Sequence, residues 1–283
     1  MRLIVNDTLD GYFELSTLDE TPQKKGVFHL EHFGILVNFG ALISFRKDFI
    51  PQQIENNQVC CFSPGGNISD IEFSDQNHFL LQFNKAFYCV EIHDKEVSCN
   101  GLLFNGLSSL PILQLDEKER KSYGLLKMVF LEELENRDHI QREMLQLLLK
   151  RLIIKTTRIA RQQLIQKTGI EEEETDLLRA FNALVEKHFK EKHKVTDYAD
   201  LLFKSPKTIA NLFLKLSDQT PLEIIHNRII LEAKRLLYYT DKPAKEIGYE
   251  LGFSEPSQFS RLFKKNTGQS PSEYKQVVGV VPS

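Results

Sequence analysis

Fifty residues apart, two stretches of this chain carry side chains suited to reading a nucleic acid: Thr208 and Asn211 in the first, Ser257, Gln258 and Arg261 in the second. Amide, hydroxyl and guanidinium groups on an α-helix can tell base pairs apart in the major groove through directional hydrogen bonds. Lys207 and Lys215 flank the first set and Lys264 and Lys265 the second, placed to hold phosphates, a contact that positions a helix without reading sequence. The stretches are copies of one pattern. SPKTIANLFLKLSDQTP (205–221) and EPSQFSRLFKKNTGQSP (255–271) align at Pro206 and Pro256, at the Leu-Phe pairs 212–213 and 262–263, at Lys215 and Lys265, and at the endings Gln-Thr-Pro and Gln-Ser-Pro. A single lysine in such a place is ordinarily a solvated helix surface; two aligned sets imply two similar helices offered to one partner.

The elements that must position these groups are legible around them. Ser205 before Pro206 is an N-cap followed by proline at the first helical position, where its missing N–H breaks no internal bond. Ile209, Leu212, Phe213 and Leu216 share one face in the first copy, as Phe259, Leu262 and Phe263 do in the second, so each helix has an apolar anchor beneath a polar outer face. Phe253 joins the anchor of the second copy. Shorter helices over 198–203 and 247–253 precede the copies, with Ala199 and Gly248 small where helices cross. Gly252 suits the intervening turn, while Leu202 stands at the matching position, so the first turn need not have the same shape. Ile229, Ile230, Ala233, Leu236 and Leu237 predict a long helix tethering the copies, which a B-form duplex would require to sit about 34 Å apart.

Composition and charge fit this reading. The chain has 283 residues, 41% hydrophobic and 27% charged, and a net charge of −3. That average hides an asymmetry: residues 175–283 hold 17 Lys and Arg against 13 Asp and Glu, and residues 1–174 hold 19 against 26. No long apolar run opens the sequence, so neither a signal peptide nor a membrane span is expected, and the expected compartment is the cytoplasm. Cys60, Cys61, Cys89 and Cys99 lack paired CxxC spacing and read as reduced, buried thiols. From 28 to 104 short β-rich segments recur, ILVNF, ALISF, VCCF, HFLLQF and AFYCVEI, predicting a sandwich or barrel whose interior is either packed or open to a small ligand. Helices are predicted over 117–135 and 140–165. The apolar face Met144, Leu145, Leu148, Leu149 and Leu152 must be covered by the same subunit or by a second one. Gly169 and four glutamates mark 168–175 as a linker, and seven helices are predicted after it.

The segments AKRLLYYT and IGYELGFSEPSQFSRLFKKNTGQSPSEYK resemble the AraC/XylS-type DNA-binding domain, a likeness that covers residues 176–277. The resemblance implies two helix-turn-helix units in one polypeptide and a transcription regulator, commonly an activator, that binds double-stranded promoter DNA and contacts RNA polymerase. The first unit departs from the pattern at Leu214, where a basic residue is common, at Asp218, which answers to Gly268, and at Asn211, which answers to Arg261. The front of the chain is similar to the cupin-type effector and dimerisation half of that family, implying a small-molecule effector and a homodimer through residues 123–165.

The expected chain is therefore a two-domain α+β protein: a cupin-like β-barrel (1–115), a helical dimerisation segment (116–167), a linker (168–175) and an all-α domain with two helix-turn-helix units (176–283). Regulation without an effector is the alternative. No cofactor is expected. A cupin-like metal enzyme would need three converging ligands and an open position. The spacing of Cys89, His93 and Cys99, with His29, His32 and His78 elsewhere, matches no strong metal signature, and no catalytic residue is assigned.

Overall fold

A computed structural model describes residues 2–6, 10–17, 28–48, 50–65, 67–97, 99–104, 110–216 and 219–278. The chain divides into two compact units, 1–169 and 170–283. The first contains β1 (Arg2–Asn6), β2 (Tyr12–Ser16), β3 (Phe28–His29), β4 (Phe33–Asn38), β5 (Ile43–Lys47), β6 (Ile50–Ile54), β7 (Gln58–Phe62), β8 (Asn67–Glu72) and β9 (His78–Phe83). After these come α1 (Asp94–Val97), β10 (Ile112–Gln114), α2 (Glu117–Glu135) and α3 (Gln141–Thr168).

These strands form two sheets, ordered β1-β2-β9-β4-β7-β10 and β3-β8-β5-β6; of the sandwich or barrel expected, it is two packed sheets that form, without closure into a barrel. The alternating pattern dictates which side chains go inward but not whether the edges meet. β4 is buried along its whole length because both faces of its sheet are covered. Leu36, Cys60, Phe62 and Leu80 pack against Ile43, Phe45, Ile54 and Ile68 of the smaller sheet. The opposite face, with Phe13, Ile35, Val37 and Leu81, packs on Tyr123, Leu126 and Phe130 of α2 and Leu145, Leu149 and Leu152 of α3. The apolar face of α3 is thus covered mainly within its own unit, Met144 excepted.

The segment AFYCVEI is not a strand. Asn84 turns the chain there, its Oδ1 accepting from the backbone N–H of Phe87 (2.8 Å) and of Tyr12 (3.0 Å). Of the expected linker, Thr168 closes α3 and Gly169 follows with φ +68°, while α4 (Glu172–His188) has already begun by Glu172.

In the second unit α4 is followed by α5 (Val195–Leu201), α6 (Pro206–Leu216), α7 (Pro221–Tyr239), α8 (Ala244–Glu250), α9 (Pro256–Thr267) and α10 (Pro271–Val278). The seven helices expected are present among the described residues. α7 touches each of the other six. At 1.5 Å per residue its 19 residues span roughly 28 Å, and its buried positions, from Ile224, Ile225 and Ile229 round to Ile230, Ala233 and Leu237, cover more than half its circumference. Arg228 lies among them. Its Nε and Nη2 donate to the two carboxylate oxygens of Glu186 on α4 (2.7 and 2.9 Å), Nη1 donates to Glu232 (3.0 Å), and the guanidinium sits 3.9 Å from the Phe189 ring centroid. Burial alone would lower the pKa of this group, but the hydrogen bonds and charges of Glu186 and Glu232 outweigh it and raise the pKa above the usual arginine value.

Removing one partner from such a buried pair costs about 3–5 kcal/mol. Arg228→Ala should therefore lower the urea midpoint of the helical signal by a corresponding amount; an unchanged midpoint would show that this pair does not hold α4 to α7.

Candidate nucleic-acid interface

The first helix-turn-helix is α5, a turn, and α6. Ser205 Oγ accepts from the N–H of Thr208 (3.0 Å) and lies 2.8 Å from the Thr208 hydroxyl, capping α6, with Pro206 first in the helix. Ile209, Leu212 and Phe213 are buried, and Phe213 meets Phe181 of α4 edge-on with centroids 5.1 Å apart. Lys207, Thr208, Asn211, Leu214 and Lys215 are exposed. At 100° per residue Lys207, Asn211 and Leu214 share one outward stripe, with Thr208 and Lys215 on its margin.

The second unit repeats the design with α8 and α9. Phe253, Phe259 and Phe263 are buried in series, with centroid spacings of 5.7 and 5.9 Å, and Tyr274 of α10 closes the row at 5.5 Å. Leu262, expected in the core, is only half-buried, whereas its counterpart Leu212 is buried. Ser257, Gln258, Arg261, Lys264 and Lys265 are all exposed. Arg261 Nε donates to the Ser257 carbonyl one turn back (3.3 Å), which lays the guanidinium along the helix surface. Gly268 ends α9 at φ +80°, its N–H donating to the Lys264 carbonyl. Asp218, its counterpart, lies outside the described residues, as does the side chain of Leu216.

The two turns differ at the Leu202 and Gly252 positions. Gly252 takes φ +81°, and a Cβ there would lie 1.8 Å from the Lys190 carbonyl oxygen. With that residue left-handed, Phe253 points inward at 8% exposure and packs on His193, centroids 4.5 Å apart. Leu202 is right-handed, and the left-handed position moves on by one residue to Phe203, at φ +52° and 94% exposed. Ala199 and Gly248 are buried, and a Cβ on Gly248 would come within 3.2 Å of Phe259.

The charges are unequal too. Lys207, Arg261, Lys264 and Lys265 form no ion pair among the described residues, whereas Lys215 is bonded to Glu174 of α4 and holds that carboxyl below its usual range. Two features went unread in the sequence. Thr220 with Glu223 and Ser270 with Glu273 form matching capping boxes after the two copies, a pattern visible as [ST]-P-x-E. Phe203 was read as part of a helix. Among the described residues no three His, Cys, Asp or Glu side chains converge as a metal site requires, and His93 instead stacks on Tyr88 at 4.6 Å.

A family model for a helix-turn-helix domain matches residues 198–276, the segment that contains both copies. The C-terminal unit is an AraC-type helix-turn-helix domain. Among curated relatives, the chain is 32% identical over 93 residues to the bifunctional transcriptional activator/DNA repair enzyme AdaA of Bacillus subtilis, spanning 33% of this chain and 44% of that protein. It is 34% identical over 92 residues to the arabinose operon regulatory protein of Salmonella typhimurium, spanning 32% of this chain and 31% of that one. The chain thus covers less than half the length of these relatives. Among solved structures, unsaturated fatty acid bound ToxT from Vibrio cholerae matches along 99% of both chains at 16% identity and a TM-score of 0.41.

Within the AraC-type domain the two turns make opposite demands. Gly252→Ala should cost about 2–4 kcal/mol, through backbone strain and the Lys190 clash. Phe203→Gly should leave stability within about 1 kcal/mol of wild type, because relieved left-handed strain offsets glycine's extra unfolded-state entropy. Equal losses in urea titrations of the two variants would show that the turns are not built differently.

Proposed function

We propose that the protein is a sequence-specific DNA-binding transcription regulator, acting as an activator, whose two recognition helices α6 and α9 enter the major groove of promoter DNA. One observation carries the reading: two helices of the same repeat, each opened by proline and anchored by buried aromatics, carry exposed polar faces and pack on a shared beam, α7. Thr208, Asn211, Ser257, Gln258 and Arg261 are the base contacts, and Lys207, Lys264 and Lys265 hold phosphates. Lys215 joins them only by giving up Glu174. Curated relatives of the domain are named as transcriptional activators, among them RhaS of Enterobacter sp..

The front unit supplies control, through an effector or a second copy of the chain, and RNA polymerase is the further partner of an activator. The space between its sheets is occupied by Leu36, Phe62, Leu80, Phe45 and Ile68, which favours regulation without a ligand in that interior. Leu125, Met128 and Val129 form an exposed apolar stripe on α2 that suits a homodimer contact. No helix among the described residues is long and apolar enough to cross a membrane. The reading assigns no catalytic step.

Arg261→Ala should lose on the order of 1–3 kcal/mol on a selected duplex and much less on random duplex, the signature of a base contact. Lys264→Ala should weaken both alike and flatten the salt dependence. Equal losses for Arg261→Ala on both duplexes, measured by titration at fixed salt, would remove its assigned role.

A further inference from the structure

Leu214 is the anomaly of the interface. It is 79% exposed on α6. It lies about 20° from Lys207 and about 60° from Asn211 around the helix axis, so it stands on the outward stripe with them. The aligned position in α9 is Lys264, also exposed. A leucine left in water beside an amide and an ammonium gains nothing within the monomer, whereas in the major groove one base-pair feature rewards an apolar side chain, the C5-methyl of thymine. Its neighbours point the same way. Asn211 is the side chain that pairs bidentately with adenine, and Ala210, half-buried on the flank of the same stripe, adds a methyl surface. α9 offers Arg261 in place of Asn211, the side chain that pairs with guanine.

We propose that α6 reads an A·T element, Leu214 packing on a thymine methyl and Asn211 bonding adenine, while α9 reads a guanine-containing element and supplies most of the phosphate contacts. The proposal rests on the DNA-binding reading above. It also accounts for the charge asymmetry: with Lys215 engaged by Glu174, α6 keeps Lys207 as its unpaired cation against Arg261, Lys264 and Lys265 on α9. A protein-docking role for Leu214 is less favoured, since Lys207 and Asn211 border it and leave no broad apolar patch.

The test uses the full-length protein and a duplex selected from a random library. The element whose consensus changes in Arg261→Ala is assigned to α9 and the other to α6. Thymines in each element are then replaced by deoxyuridine, which deletes only the methyl group. In the α6 element the wild type should lose about four-fold in affinity per contacted methyl, the equivalent of one buried methylene. Leu214→Ala should show a similar loss on the thymine duplex and no further loss on deoxyuridine, and Leu214→Lys should shift the preferred base away from thymine. Equal deoxyuridine sensitivity in wild type and Leu214→Ala, or none in either, overturns the assignment while leaving the regulator reading intact. Unchanged DNA binding by Leu214→Ala also overturns it, and directs Leu214 to a protein partner. A protein that selects no sequence at all defeats both readings.

Discussion

The organisation of the C-terminal unit depends on α7. It is the element in contact with all the others, and it can be so because its buried residues run most of the way round its circumference. A helix buried this widely would ordinarily be apolar throughout, yet Arg228 lies in it, fixed by a two-point bond to Glu186 and a third bond to Glu232. Such a pair is weak evidence for net stability, because desolvating the charges cancels much of their attraction. What it fixes is register: the fork of Arg228 admits one rotation and one height of α4 against α7. α4 in turn carries Phe181, on which Phe213 of α6 rests. The line from Arg228 through Glu186 and Phe181 to Phe213 therefore sets where the outward face of α6 stands relative to the beam.

The two copies share this frame and differ in what they present. A glycine in the second turn lets Phe253 fold inward and join the aromatic row beneath α9. A leucine in the first turn disfavours the same backbone, the left-handed residue is Phe203 instead, and its aromatic ring is exposed. Beneath α6, Phe213 packs on Phe181 from α4. α4 also supplies Glu174, which pairs with Lys215. The result is a domain in which α9 presents Arg261, Lys264 and Lys265 outward while α6 presents Leu214 beside Lys207 and Asn211.

Much of this was legible in the sequence because it is local. Proline at a helix start, paired anchors three and four residues apart and the duplicated Gln-[ST]-Pro ending need no long-range information, and the α2 boundaries at Glu117 and Glu135 followed from periodicity in the same way. What was not legible depends on partners distant in sequence. Glu186 is 42 residues from Arg228, so the pair is invisible to any window. AFYCVEI has the composition of a strand, but Asn84 three residues ahead of Phe87 imposes a turn. The choice between sandwich and barrel stayed open in the sequence because strand patterns specify faces, not closure. Leu262 shares the helical period of Phe259 and Phe263, yet periodicity does not settle how deeply it sits, and it is half-buried.

The central claim is that two unequal helices on one rigid beam read one duplex. Selection of bound sequences from a random DNA library with the full-length protein tests it most directly. The account predicts a consensus of two dissimilar elements with fixed spacing, about one helical turn or roughly 10 base pairs from centre to centre. A single element, two elements of variable spacing, or no enrichment over random duplex would contradict it.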